Sequence, residues 1–291
     1  MKTLHLGEVA IDRLVESEGP GYEIGFFFPD GTIEAFEAEA DWLAPHFWDR
    51  EAKAYLRAVQ SFVVRTPHHI VLVDSCVGHM KERPSTPHWH RLDSTWLTQL
   101  RALGVAPEAV NYVLCTHLHA DHVGWNTRLE NGSWVPTFPN ARYVFHRDEL
   151  AHWETPGASG AGMGTEDGCF QDSVLPVIEA GQAEIVGNDF AIDDAFTLLP
   201  TPGHTPGHCC VNLRAGDRRA VISGDVLHHP IQVARPEWNS RFCIDPDLSR
   251  ATRRKFVDDH ADTDALILAA HFATPTAGRI VGNGGRCRFQ V

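Results

Sequence analysis

Lysine is scarce in this chain, standing only at positions 2, 53, 81 and 255. With 25 basic residues against 38 acidic ones, the formal charge is −13. A surface of that sign argues against nucleic acid or anionic membrane as a partner. It also disfavours a highly anionic substrate, unless metal ions and local arginines reverse the field in a cleft. No stretch reaches the length of a membrane span. The opening residues, Met1 to Glu8, are too polar for a secretory signal, so a cytoplasmic protein is expected. Seven cysteines, an odd number at scattered positions, do not form a disulfide framework. Cys209 and Cys210 read as small buried residues of a strand, not as ligands. No internal repeat or disordered tract stands out.

What is abundant is histidine, with 18 copies. Residues 116–122 read Thr-His-Leu-His-Ala-Asp-His, directly after the apolar stretch 112–115. In extended backbone, side chains two apart share a side, so His117 and His119 can bind one metal ion together. Asp121 and His122 follow as the chain turns and can address a second ion. Imidazole with carboxylate suits zinc, and also manganese, cobalt or iron. Further candidates close other apolar runs. Residues 201–208 read Thr-Pro-Gly-His-Thr-Pro-Gly-His, where two Pro-Gly pairs frame His204 in tight turns. Residues 220–225 form a strand-like run ending in Gly224 and Asp225, and 265–271 another ending in His271.

Taken in this order, the blocks resemble the metallo-β-lactamase superfamily, over roughly residues 60–283. The resemblance implies a single α/β domain over residues 1–291, a four-layer αββα sandwich. It implies two divalent ions, first of all zinc. His117, His119 and His204 would hold one, Asp121, His122 and His271 the other, with Asp225 bridging. A hydroxide shared by the ions would attack a carbonyl or phosphoryl centre, because two ions lower the pKa of water toward roughly 7. Asp121 would orient that hydroxide or carry a proton. Residues 271–280 and 242–246, with the helix after them, resemble the group of bacterial lactonases and methyl parathion hydrolase-like phosphotriesterases. The expected activity is hydrolysis of a small neutral lactone, ester or phosphotriester. The alternatives are an iron-dependent dioxygenase or dehalogenase-like member, and a lactonase specific for acyl-homoserine lactones. Those quorum-quenching lactonases place a tyrosine shortly after the bridging Asp. Here that position falls near His228, whose ring N–H can bind the substrate carbonyl instead.

Other residues have plainer readings. His208 reads as a support for the ligands or a core residue, and Asp74 as an orienting partner for a ligand histidine or a turn residue. His228 and His229 are candidates for lining a cleft, and the loop carrying His79, His88 and His90 for bordering it. Trp125 should pack beneath the site. The aromatic stretch 20–60, with Trp42, Phe47 and Trp48, is a lid, a homodimer contact or simple core. Arg250, Arg253, Arg254 and Lys255 read as the solvated face of one helix.

The coarse element pattern is alternating. Strands are expected over 4–15, 61–65, 70–74, 142–145, 196–199 and 265–270. Residues 66–69 would close a hairpin. Helices are expected from Trp96 to about Gly104, capped by Ser94, over 147–153, and from Asp245-Pro246 to about His260. The glycine-rich run 156–168 reads as a loop.

Overall fold

The structure, a computed structural model, describes residues 2–155 and 167–291. The chain forms two compact units. One comprises Lys2–Glu16 and Val59–Phe190 and carries His117; the other comprises Ser17–Ala58 and Ala191–Val291 and carries His204. They are called the His117 unit and the His204 unit below.

The first large sheet supplies the frame of the His117 unit. Its strands run Leu4–Leu6, Val9–Pro20, Ala54–Arg65, Ile70–Val73, Tyr112–Leu114, Arg142–His146 and Ala183–Val186 in spatial order. The last four are mutually parallel. Val71, Leu72, Val73 and Val113 are fully buried, as continuous apolar runs in the middle of a parallel sheet should be. Parallel strands end at one common edge. The residues following them, Asp74 and Thr116, are therefore delivered side by side.

The expected hairpin forms, with Phe62 opposite Val73 and the Thr66 N–H closing on the His69 carbonyl at 2.9 Å. The opening stretch differs: it is a hairpin of two strands that turns at Gly7, where φ is +61°. A weak alternation hides such a turn because only two residues interrupt it. The helix Trp96–Ala102 is followed by Gly104 at φ +77°, as expected, but Thr95 and not Ser94 occupies the cap position. The helix after the fourth parallel strand is Arg147–Glu154. Of the glycine-rich run 156–168, only Asp167 and Gly168 lie within the described residues.

The His204 unit has its own sheet, in the order Ala191–Ile192, Phe196–Pro200, Cys209–Ala215, Arg218–Ile222, Leu266–Leu268, Ala277–Asn283 and Arg286–Gln290. Only one pair is parallel, Arg218–Ile222 with Leu266–Leu268. Their crossover is the helix Pro246–His260, which begins where the sequence says: Asp245 accepts the Leu248 N–H at 2.9 Å and Pro246 opens the first turn. The parallel pair again aims two ends in one direction, toward Asp225 and His271. Cys209 and Cys210 are buried on their strand, and the cysteines are free thiols.

The aromatic N-terminal stretch is three short helices, Ile24–Phe27, Ile33–Ala38 and Ala40–Leu43. Phe28, Phe36, Phe47 and Trp48 are fully buried, and Phe36 stacks on Trp48 at 4.9 Å. Phe47 and Trp48 thus serve as core. Trp42 is partly buried and donates its indole N–H to Glu39. His229 belongs to this core and not to a cleft wall: it is fully buried, and its Nε2–H bonds the Phe47 carbonyl at 2.9 Å.

The basic helix face needs a correction. Arg253 is fully buried, and donates to the carbonyls of Val226, Pro236 and Trp238, to Asn239 Oδ1 and to Ser249 Oγ. Ser249, Arg253, Phe256 and Val257 form the inward face of the helix. No helix among the described residues is long and apolar enough to cross a membrane.

Candidate metal centre

In the His117 unit the ligand stretch leaves the sheet at Thr116. Asp74, at the end of the neighbouring strand with φ +58°, accepts the Thr116 N–H at 2.8 Å and the Thr116 hydroxyl at 2.9 Å. Its other role is the one anticipated: Oδ2 lies 2.9 Å from His122 Nδ1. With the proton on Nδ1, the His122 lone pair sits on Nε2. His117 and His119 lie on one side of the extended segment, with His117 Nε2 3.0 Å from His119 Nδ1. The chain then turns into the helix Ala120–Val123, where the His122 N–H bonds the His119 carbonyl. Asp121 Oδ1 stands 3.7 Å from His122 Nε2.

Glu149 was not legible as a functional residue. Buried in the helix Arg147–Glu154, it accepts the Leu118 N–H at 2.9 Å and the Trp153 indole N–H at 2.8 Å. It thereby fixes the backbone between the two histidines. Trp125 is buried and stacks on Trp96 at 5.5 Å.

In the His204 unit the ligands come from three separate segments. Gly203 adopts φ +128°, and a Cβ there would meet the Ser249 nitrogen at 2.3 Å. Only glycine lets this turn lie against the start of the helix Pro246–His260. The Ile244 and Asp245 N–H groups bond the carbonyls of His204 and Gly203. His208 supports the neighbouring ligand: its Nε2 accepts the Asp225 N–H at 2.8 Å, and its Nδ1–H faces Thr201 Oγ1 at 2.8 Å. His271 donates its Nδ1–H to the Ala58 carbonyl at 2.8 Å, which leaves Nε2 as the lone-pair nitrogen.

The rings of His204 and His271 face one carboxylate. Asp225 Oδ2 is 3.2 Å from His204 Nε2, and Oδ1 is 3.2 Å from His271 Nε2. His228 joins them, with Nε2 3.2 Å from Asp225 Oδ2 and 3.2 Å from Ser240 Oγ. Burial is the largest influence on His204 and opposes its charge, but Asp225 and Cys243 outweigh it and raise its pKa to about 9. For His228 burial prevails and lowers the pKa to about 3.

This donor set fits metal ions. Within each unit the expected ligands lie together: His117, His119, Asp121 and His122 in the one, His204, Asp225 and His271 in the other. Bonds of about 2.0–2.2 Å to imidazole nitrogen or carboxylate oxygen leave roughly 3–3.5 Å between neighbouring donor atoms. The separations of 3.0 Å between His117 and His119, and 3.2 Å from Asp225 to His204 and to His271, match that spacing. The outer nitrogens of His122 and His271 are committed to oxygen acceptors, so both rings present Nε2.

Comparison with known proteins agrees. The profile of the Metallo-beta-lactamase superfamily matches residues 54–271. The N-acyl homoserine lactonase AttM of Agrobacterium fabrum is 28% identical over 191 residues, 63% of this chain and 67% of that protein. A probable metallo-hydrolase of Mycobacterium tuberculosis is 26% identical over 193 residues, 60% of this chain and 58% of its own length. Among solved structures, the hydrolase AbOPH superposes with a TM-score of 0.80 at 26% identity, covering 99% of this chain and 96% of that one. The dizinc quorum-quenching lactonase AidC shares the fold at a TM-score of 0.79 and 19% identity, again over 99% and 96%. Candidate ligands at strand ends in this order, within a matched span that takes in every one of them, lead to one conclusion: the chain belongs to the metallo-β-lactamase superfamily and has its fold.

Proposed function

We propose that this protein is a binuclear metal-dependent hydrolase of small, neutral lactones, esters or phosphotriesters, its two units acting as one catalytic domain. The observation that carries the reading is Asp225, whose two oxygens each face a different imidazole, His204 and His271. A carboxylate shared in that way suits a bridge between two ions better than a ligand of one. On this reading His117, His119 and His204 hold one ion, and Asp121, His122 and His271 the other. Zinc is the ion proposed, in keeping with the imidazole and carboxylate donors and with the dizinc relative. Bound ions supply a water of lowered pKa and an electrophilic rest for a substrate oxygen.

The chain's own residues do the rest. Asp121 receives and hands on a proton at its carboxylate. His228 directs a ring N–H toward a substrate oxygen beside Asp225. An aromatic wall adjoins it: Phe27 lies 5.6 Å from the His228 ring and 5.6 Å from Phe242, and Tyr22 stacks on Phe27 at 5.8 Å. Such a surface favours an apolar acyl or leaving group and keeps water from it.

The test is a panel of lactones, carboxylic esters and phosphotriesters, run on protein whose metal content has been measured. Turnover should vanish on dialysis against a chelator and return with zinc. Activity that survives complete metal removal overturns the reading. Iron as the bound metal, with no turnover across the panel, would favour the non-hydrolytic alternative. His228→Ala should raise KM or lower kcat by about 10-fold or more while both ions stay bound, since it removes a hydrogen bond to substrate.

A further inference from the structure

We propose that Cys243 is a positioning residue for His204: its sulfur receives the imidazole Nδ1–H and so fixes Nε2 as the nitrogen offered to a metal ion. The inference rests on the two-metal reading above. Cys243 Sγ lies 3.6 Å from His204 Nδ1, and both side chains are buried. Nε2, on the far side of the ring, faces Asp225. The ring is thus held between a sulfur and the bridging carboxylate.

The sulfur is itself held in place. The Ile244 N–H bonds the His204 carbonyl and the Asp245 N–H bonds the Gly203 carbonyl, each at 2.9 Å. These two bonds set the register of Cys243 against its partner. Sγ also lies 3.3 Å from Ser249 Oγ and 3.6 Å from Ser240 Oγ. Ser249 Oγ accepts from the buried Arg253 guanidinium at 2.9 Å, and Arg253 holds the Val226 carbonyl beside Asp225 at 2.8 Å. One buried chain of contacts therefore runs from Arg253 through Ser249 and Cys243 to His204.

The choice of atom has a consequence. His122 and His271 donate to oxygen, a carboxylate at 2.9 Å and a carbonyl at 2.8 Å. Sulfur is the weaker acceptor. Of these ligands His204 is the least firmly oriented, and the ion it binds should be the first to leave.

Full-length apoprotein, reloaded with zinc in competition with a chromophoric chelator, resolves the two binding steps. Cys243→Ala should weaken one step 10- to 100-fold, the range for removing an orienting partner of a ligand histidine, and leave the other within about threefold. Ser249→Ala should weaken the same step by less. Unchanged steps overturn the inference. So do equal losses in both, which would mark a merely structural cysteine. Should the alanine variant fail to fold, Cys243→Ser, with a shorter-reaching acceptor, and Ser249→Ala carry the same test. Wild-type protein that takes up no zinc at all overturns the metal reading itself, and this inference with it.

Discussion

The two units hold their candidate metal ligands by opposite means. In the His117 unit one organising group is a half-buried acceptor, Glu16. It takes hydrogen bonds from the Val77 and Gly78 N–H groups at 2.7 and 3.3 Å, from the Ser94 hydroxyl at 2.6 Å and from the Trp125 indole at 2.9 Å. In the His204 unit it is a buried donor, Arg253, which reaches three carbonyls, an amide and a hydroxyl. The difference follows from how the ligands arrive. The His117 stretch is contiguous and already carries a carboxylate of its own, Asp121, so Glu16 has only to gather the loop and the indole behind it. The His204 ligands come from separate segments whose free backbone carbonyls need a donor with several arms. A guanidinium has five N–H groups in a fixed fork, and a lysine in the same place has a single centre.

Breaking the donor side should have the larger effect. Arg253→Ala takes a donor from five acceptors, of which the Trp238 carbonyl keeps the Gln232 amide N–H, and leaves a cavity; it should cost roughly 3–5 kcal/mol. Denaturant unfolding of the metal-loaded protein measures it. Arg253→Lys should recover only part of the loss. A lysine variant as stable as wild type would show that the fork is not needed.

The acceptor side should reveal itself through pH. Burial raises the Glu16 pKa from its usual 4.5 to about 7, against its hydrogen bonds, which lower it. Between those values the folded protein holds a proton that the unfolded chain has released. Stability at Glu16 is therefore greatest below the unfolded pKa and falls as pH rises toward 7, by up to about 3 kcal/mol. Glu16→Gln should flatten that fall. Other groups titrate in the same range, so the measured quantity is the wild-type slope minus the variant slope between pH 5 and 7. Identical slopes remove Glu16 as the cause.

Neither hub was legible in the sequence, although much around them was. The Asp245-Pro246 start, the hairpin over 61–73 and the strand ends bearing His117, His204, Asp225 and His271 depend on local chemistry and apolar runs, which a sequence displays. Asp74 was readable as a support because it closes such a run, and His208 because it stands four residues after His204. Glu16 and Glu149 act on residues far away in the chain, and nothing in their neighbourhoods marks them. Arg253 is instructive because its signal was present. Among Arg250, Arg254 and Lys255 it reads as one more surface charge, yet Ser249, Arg253, Phe256 and Val257 recur at helical spacing on one buried face. The cluster of like charges masked the periodicity.

The smallest effect, and the finest test of the acceptor hub, lies at Ser94. Its hydroxyl donates to Glu16 Oε1 and also accepts the Trp96 N–H, at 3.4 Å, a weak bond just ahead of the helix. These two roles differ in their pH dependence. A bond to the carboxylate is strongest when Glu16 is ionised, above about pH 7. The bond to the Trp96 N–H contributes equally at every pH. Ser94→Ala should therefore cost about 1–2 kcal/mol at pH 8 and less at pH 5, with the midpoint of the change shifted upward. Unfolding midpoints at the two pH values decide it. An equal cost at both would assign Ser94 to the helix start and leave Glu16 with only its N–H donors.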